Sequence, residues 1–147
     1  MTLTSEQFAW WDAQREAAEA MEQPWQSYPW SVDRWSNFTP YELRSRGDGL
    51  LVVVPEFMDV VQSLRAWLNR PLIINSFYRS EQHNAAVGGA EYSMHQLGLA
   101  ADCRISDPAE QDAFAREARA RGCNGIKIYK TFVHIDMRPW HWLEDAR

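Results

Sequence analysis

Ser93-Met-His95-Gln-Leu-Gly98-Leu-Ala100-Ala-Asp102 and, further along the chain, Phe132-Val-His134-Ile-Asp136 supply two imidazoles and a carboxylate in a pattern suited to one metal ion. His95, Asp102 and His134 are ligand types that zinc prefers. Three protein ligands leave a fourth tetrahedral position for water, as in catalytic rather than structural zinc sites. The spacing constrains the geometry: helix would hold His95 and Asp102 roughly 10 Å apart along its axis, too far to share an ion. A chain that turns at Gly98 and then enters a strand brings them together. Asp102 follows Leu99-Ala-Ala in a run that reads as buried, where an unpaired carboxylate is costly and a divalent cation removes the cost. Strand alternation places Phe132, His134 and Asp136 on one face, with the α-carbons of His134 and Asp136 about 6–7 Å apart. That separation suits Asp136 to orienting a metal-bound histidine or activating a water better than to direct ligation. An ion pair with Arg104 or Arg138 is the alternative.

Further runs accompany this core: Ser76-Phe-Tyr-Arg79-Ser80, Asn84-Ala-Ala-Val-Gly88-Gly89, Ser93-x-His95-x-x-Gly98-x-Ala100-x-Asp102 and His134-x-Asp136. Together they resemble the zinc D-alanyl-D-alanine peptidase family of bacterial carboxypeptidases, cell-wall endopeptidases and phage endolysins. The fold of that family is similar to the zinc domain of hedgehog signalling proteins. The resemblance runs from about Phe38 to Trp140, roughly two-thirds of the chain. It implies a Zn2+ metallopeptidase that hydrolyses peptidoglycan stem peptides beside D-alanine, as a carboxypeptidase or an endopeptidase, with release at phage lysis as one setting. It also implies roles. The family arginine matching Arg79 faces the substrate carbonyl or carboxylate, and a guanidinium suits either task as a planar donor with a permanent charge; a surface arginine is the alternative. Ser93 resembles a position near the substrate, with capping of a turn as a comparable alternative. Asn84, Gly88 and Gly89 resemble loop-shaping residues.

One departure from the family stands out. Many relatives carry Glu or Asp three residues before the second zinc histidine as general base, whereas this chain has Thr131 there and no acid between Arg121 and Ile135. Asp136 is then the first candidate base and Glu91 the second. The same departure leaves open a rival function, a zinc-stabilised binding module that docks cell wall or a protein partner through its tryptophan-rich surface. His83 reads as a solvated helix residue and His141 as a surface residue beyond the motif.

The elements that must position these groups are legible in outline. Residues 5–22 form an amphipathic helix after Thr4 as N-cap, and residues 23–36, rich in Pro, Trp and Ser, read as an irregular wrapping segment. Thr39-Pro40-x-Glu42 is a capping box with proline at the first helical position, opening a short helix that ends near Arg46. A helix from Pro55, ended by Pro71, repeats Phe57, Val60, Val61, Leu64, Trp67 and Leu68 at three- and four-residue intervals. Strands are expected at 72–77, 99–105, 125–129 and 132–137, the last two as a hairpin, with helices at 80–87 and from the cap at Ser106-Asp-Pro to Gly122. Helices first and short strands later predict an α+β single domain whose small antiparallel sheet carries the site. Residues 1–37 form an N-terminal extension of that domain and 38–147 its peptidase core. There is no internal repeat.

Composition narrows the partners. The chain has 147 residues, 46% hydrophobic and 24% charged, ordinary for one globular domain. Its net charge of −5 argues against nucleic acid, which needs a basic face, and against simple electrostatic capture by an anionic wall. No apolar run reaches the length of a membrane span, and the N-terminus lacks a signal-peptide pattern. These features predict a monomer that stays in the cytoplasm as synthesised unless lysis releases it. Cys103 and Cys123 are expected as free thiols. The 8 tryptophans read as core anchors, or in part as the lining of an exposed groove.

Overall fold

The computed structural model describes residues 2–147. Helix α1 (Ser5–Met21) starts where expected: the Thr4 hydroxyl accepts from the Gln7 amide at 3.1 Å and the Gln7 side chain accepts from the Thr4 amide at 3.0 Å. It buries Trp11, Arg15 and Ala18. The segment after it is irregular, apart from β1 (Gln23–Pro24), a single turn of 3-10 helix and an antiparallel pairing of β1 with β2 (Leu50–Leu51). Trp35 is buried, while Trp10, Trp25 and Trp30 pack partly buried against the same core as Trp11. The wrapping segment is thus tied down by aromatic burial, each large apolar side chain contributing on the order of 1.5–3 kcal/mol.

Helix α2 (Pro40–Leu43) has the expected Thr39–Glu42 capping box but is a single turn, because Arg44 is already extended. Helix α3 (Pro55–Leu68) buries Phe57, Met58, Val61 and Leu64 and stops at Asn69, whose left-handed φ of 55° closes it before Pro71 is reached. Helix α4 (Glu81–Ala86) is capped by Ser80, and α5 (Pro108–Ala120) by Asp107, whose carboxylate accepts from the Glu110 amide.

The sheet has five strands in the order β3-β4-β6-β5-β7: β3 (Ile74–Ser76), β4 (Ala100–Arg104), β5 (Gly125–Ile128), β6 (Phe132–Asp136) and β7 (Trp142–Asp145). The expected hairpin is β5–β6, and the pairs β3–β4, β4–β6 and β5–β6 are antiparallel. The expectation of an antiparallel sheet needs one correction, since β7 pairs in parallel with β5. After β6 the chain turns back through Met137–His141, past Asn124 at the start of β5, to the far edge of β5, so β7 runs in the direction of β5. The ladder is secured by Trp142 N–H donating to Asn124 O at 2.9 Å and Ala146 N–H to Ile128 O at 2.8 Å.

Alternation gives the sheet two unlike faces. Ala101, Cys103, Ile126, Ile128, Val133 and Ile135 are buried and point to the core, which α5 closes with Phe114, Ala115 and Ala118. Asp102, His134 and Lys127 leave the opposite face and, with Glu144, line a cleft. Cys103 and Cys123 are both free and buried, and burial pushes the Cys123 thiol up to about 12. No helix among the described residues is long and apolar enough to cross a membrane.

Candidate metal centre and cleft

Asp102 and His134 are direct cross-strand partners on β4 and β6, so register alone brings two of the three expected ligands together. His95 arrives from the 3-10 turn Met94–Leu97, which Ser93 caps by accepting from the His95 amide at 3.2 Å. Gly98 then turns the chain into β4 with φ of 71°, a left-handed conformation that favours glycine. A Cβ at Gly98 would stand 3.0 Å from the Val52 carbonyl oxygen, so the residue is needed for space as well as for the turn.

The hydrogen bonds fix which ring nitrogens face the centre. His95 Nδ1 lies 2.7 Å from the Phe77 carbonyl oxygen; that oxygen can only accept, so Nδ1 carries the proton and Nε2 is left for the site. His134 Nε2 lies 2.7 Å from Asp136 Oδ2, so Nδ1 is the free nitrogen. Nε2 of His95 and Nδ1 of His134 then converge on the same Asp102 oxygen, at 3.2 and 2.9 Å. One ligand atom from each of the three residues lies within 4.8 Å of the others, and His95 and Asp102 are buried. Three acceptors meeting in a buried corner call for a cation or a proton between them. Two nitrogens and one oxygen in this arrangement fit zinc.

Electrostatics favours a positive charge in the same corner. Burial pushes the Asp102 carboxyl up, but the adjoining His95 and His134 rings outweigh it and hold it well below the usual carboxylate range. Burial pushes the His134 imidazole down, but hydrogen bonds to Asp102 and Asp136 outweigh that and raise it to about 9. A ligating imidazole must be neutral, so proton and metal compete for Nδ1. Zinc affinity should therefore rise about tenfold per pH unit below pH 9 and level off above it. Competition titration against a chelator of known pH dependence measures this slope, and a flat profile from pH 6.5 to 9 would remove His134 from the ligand set.

Asp136 does not line the cleft. It is fully buried and lies behind the His134 ring, on the side away from Asp102. One oxygen takes His134 and the Arg138 Nη2 at 2.7 Å, the other takes the Arg138 Nε at 2.8 Å. This forked pair holds the Asp136 carboxyl well below the usual range despite burial, which acts to raise it. Gly125, the cross-strand partner of Asp136, leaves room for it: a Cβ there would collide with both Asp136 and Arg138. Of the contacts weighed for Asp136, those with His134 and Arg138 are present, and Arg104 is not among its partners. Asp136→Asn should weaken zinc binding roughly 10–100-fold, with activity recovering at high zinc, and cost about 1–3 kcal/mol of stability through the half-satisfied Arg138. Unchanged zinc affinity with lost turnover would return the base role to Asp136.

Arg79 lies at the cleft with its Nε donating to Ser76 Oγ at 3.1 Å, Nη1 to Asn84 Oδ1 at 3.4 Å, and Nη2 3.7 Å from Asp102 Oδ2. Asn84 is buried and donates in turn to the Ala90 carbonyl at 2.8 Å. Ser93 both caps its turn and lines the cleft. Thr131 is exposed, and neither it nor His141 lines the cleft. His83 is half-buried, its ring lying against Gly47, rather than solvated.

The cleft encloses about 1140 Å³ and has walls that the sequence did not announce. Thr2–Ser5 and Phe8 form one stretch of its lining, and Lys127, Tyr129, Trp142 and Glu144 another. The N-terminal wall is braced against the His95 turn. The Trp11 indole donates to the Ser93 carbonyl at 3.3 Å, and Arg15 donates to the Gln96 carbonyl and to the Tyr78 hydroxyl. Amphipathicity foretold the helix; that its first turn meets the cleft depends on long-range packing.

Among known families, that of peptidase M15 matches residues 36–136 of the chain. That span includes Arg79, Ser93, His95, Asp102, His134 and Asp136, and leaves out the N-terminal wall, Trp142 and Glu144. No curated protein matches the chain.

Proposed function

The chain belongs to the peptidase M15 family, a family of zinc metallopeptidases, and from that premise we propose that it hydrolyses peptidoglycan stem peptides next to D-alanine. The observation that carries the reading is the convergence of three acceptor atoms at the cleft beside a guanidinium held by Ser76 and Asn84. His95 Nε2, Asp102 and His134 Nδ1 would hold the ion. Bound there, zinc supplies Lewis-acid chemistry, polarising the scissile carbonyl and acidifying water.

The remaining work falls to the chain's own side chains. Asp136 keeps the His134 ring turned with Nδ1 inward. Arg79 presents planar donors to the carbonyl oxygen as it gains charge, or to a terminal carboxylate. Ser93, at the cleft, contacts the peptide. Besides Asp102, the cleft carboxylates are Glu91 and Glu144. Glu144 is paired with Lys127, whereas the Glu91 carboxylate has no ion-pair partner among the described residues, so Glu91 takes the proton. A monomer released at phage lysis is the setting that we favour.

Synthetic stem peptides test this directly. The protein should cut a peptide containing D-alanine and leave its L-alanine diastereomer intact, and Glu91→Gln should lower kcat by roughly two to four orders of magnitude. Equal cleavage of both diastereomers would overturn the substrate, and an unchanged kcat would overturn the role of Glu91. One observation favours a second reading, a zinc-stabilised binding module: the commitment of Asp136 to Arg138 and His134. That module would bind the D-alanine peptide without cutting it.

A further inference from the structure

One rung crosses the whole five-stranded sheet: Ser76, Asp102, His134, Lys127 and Glu144 are successive register partners on β3, β4, β6, β5 and β7. The half nearer β3 is the metal corner. The other half, Lys127 and Glu144, has no task in it. Lys127 alternates with buried Ile126 and Ile128, which sends its side chain to the cleft face, where Glu144 meets it. The Lys127 ammonium lies 2.9 Å from Glu144 Oε2, with the side chains 25% and 50% exposed, and 5.0 Å from the Tyr129 ring centroid. Both residues line the cleft. An exposed pair of this kind adds little to stability, so its place beside the metal corner asks for another reason.

We infer that Lys127 and Glu144 form a second substrate subsite that takes a dipolar α-amino-carboxylate group, its carboxylate on Lys127 and its ammonium on Glu144. Two fixed charges of opposite sign, a hydrogen bond apart, present a dipole to the cleft. A singly charged group meets one attracting and one repelling neighbour there, while a group carrying both charges satisfies both, so the pair selects as well as binds. Neighbouring strands lie about 4.8 Å apart, which puts the backbone of Lys127 about 5 Å and that of Glu144 about 10 Å from the backbone of His134. An extended peptide advances about 3.4 Å per residue. The dipolar group therefore sits two to three residues, or one long side chain, from the bond at the metal corner. Arg79 engages Ser76 and approaches Asp102 at the other end of the rung, so a substrate that reaches both ends runs across the strands. Trp142, the register partner of Gly125 and with its ring 6.0 Å from that of His134, supplies apolar surface beside the rung.

This subsite rests on the peptidase reading only for where cleavage falls; binding tests it separately. The probes are a D-alanine stem peptide with a free α-amino-carboxylate two residues from the scissile bond and the same peptide with that group N-acetylated or amidated. Calorimetry should give a Kd for the free peptide about tenfold or more below that of either blocked form, as for a lost charged hydrogen bond. Lys127→Met should erase the difference from the amidated peptide, and Glu144→Gln the difference from the acetylated one. Wild-type protein that binds all three alike would overturn the subsite, as would variants that keep the wild-type preference. If the free peptide binds preferentially but is never cut, the peptidase reading fails and the subsite stands. If D-alanine peptides are cut with no such preference, the reverse holds.

Discussion

Replacing His95 or Asp102 with alanine should remove zinc and hydrolysis together. The three ligand atoms lie within 4.8 Å of one another and come from separate elements, so none of the remaining pairs reproduces the chelate, and two protein ligands hold zinc poorly compared with three. Wild-type protein should carry about one zinc per chain and each variant almost none, with turnover below detection. Elemental analysis after gel filtration reads the first quantity and peptide hydrolysis the second. Asp102 also anchors His95, His134 and the Arg79 guanidinium, so its loss should loosen the corner more than that of His95. Full zinc occupancy in both variants would remove the ligand assignment.

Arg79→Ala should keep zinc and fold while losing two to three orders of magnitude in turnover, the usual scale for a lost oxyanion contact. Arg79 touches Asp102 only through an Nη2–Oδ2 approach of 3.7 Å, which is why the metal should survive. Arg79→Lys should recover little. Ser76 Oγ engages Nε, Asn84 Oδ1 engages Nη1, and the substrate is left the rest of a planar fork; one ammonium cannot span those positions. A kcat/KM measurement on a D-alanine peptide decides, and near-normal hydrolysis by the alanine variant would remove Arg79 from the groups that serve the substrate.

Local chemistry made much of the fold legible. Thr4, Thr39 and Asp107 each cap the helix their side chains announce, and Gly98 turns the chain between His95 and β4 as their spacing demands. Strand alternation foretold that His134 and Asp136 share a face, and they touch. The contacts of Asp136 depend on the position of Arg138, which folds back over a gap that Gly125 leaves open. Strand β7 was missed because Trp142–Asp145 has an exposed pattern with no β-branched residue, and its parallel pairing depends on where the chain crosses. With β7 went Trp142 and Glu144, hence one wall of the cleft. The other wall escaped for a similar reason: the contacts of Trp11 with Ser93 and of Arg15 with Gln96 join residues far apart in sequence, and no local pattern marks them.

Digestion of purified peptidoglycan, with and without chelator, followed by mass analysis of the released fragments tests the central claim most directly. The protein should release peptides with new ends at D-alanine, the chelator should stop this, and added zinc should restore it. Intact peptidoglycan after incubation with protein carrying its full zinc, or the same fragments in the presence of chelator, would contradict it.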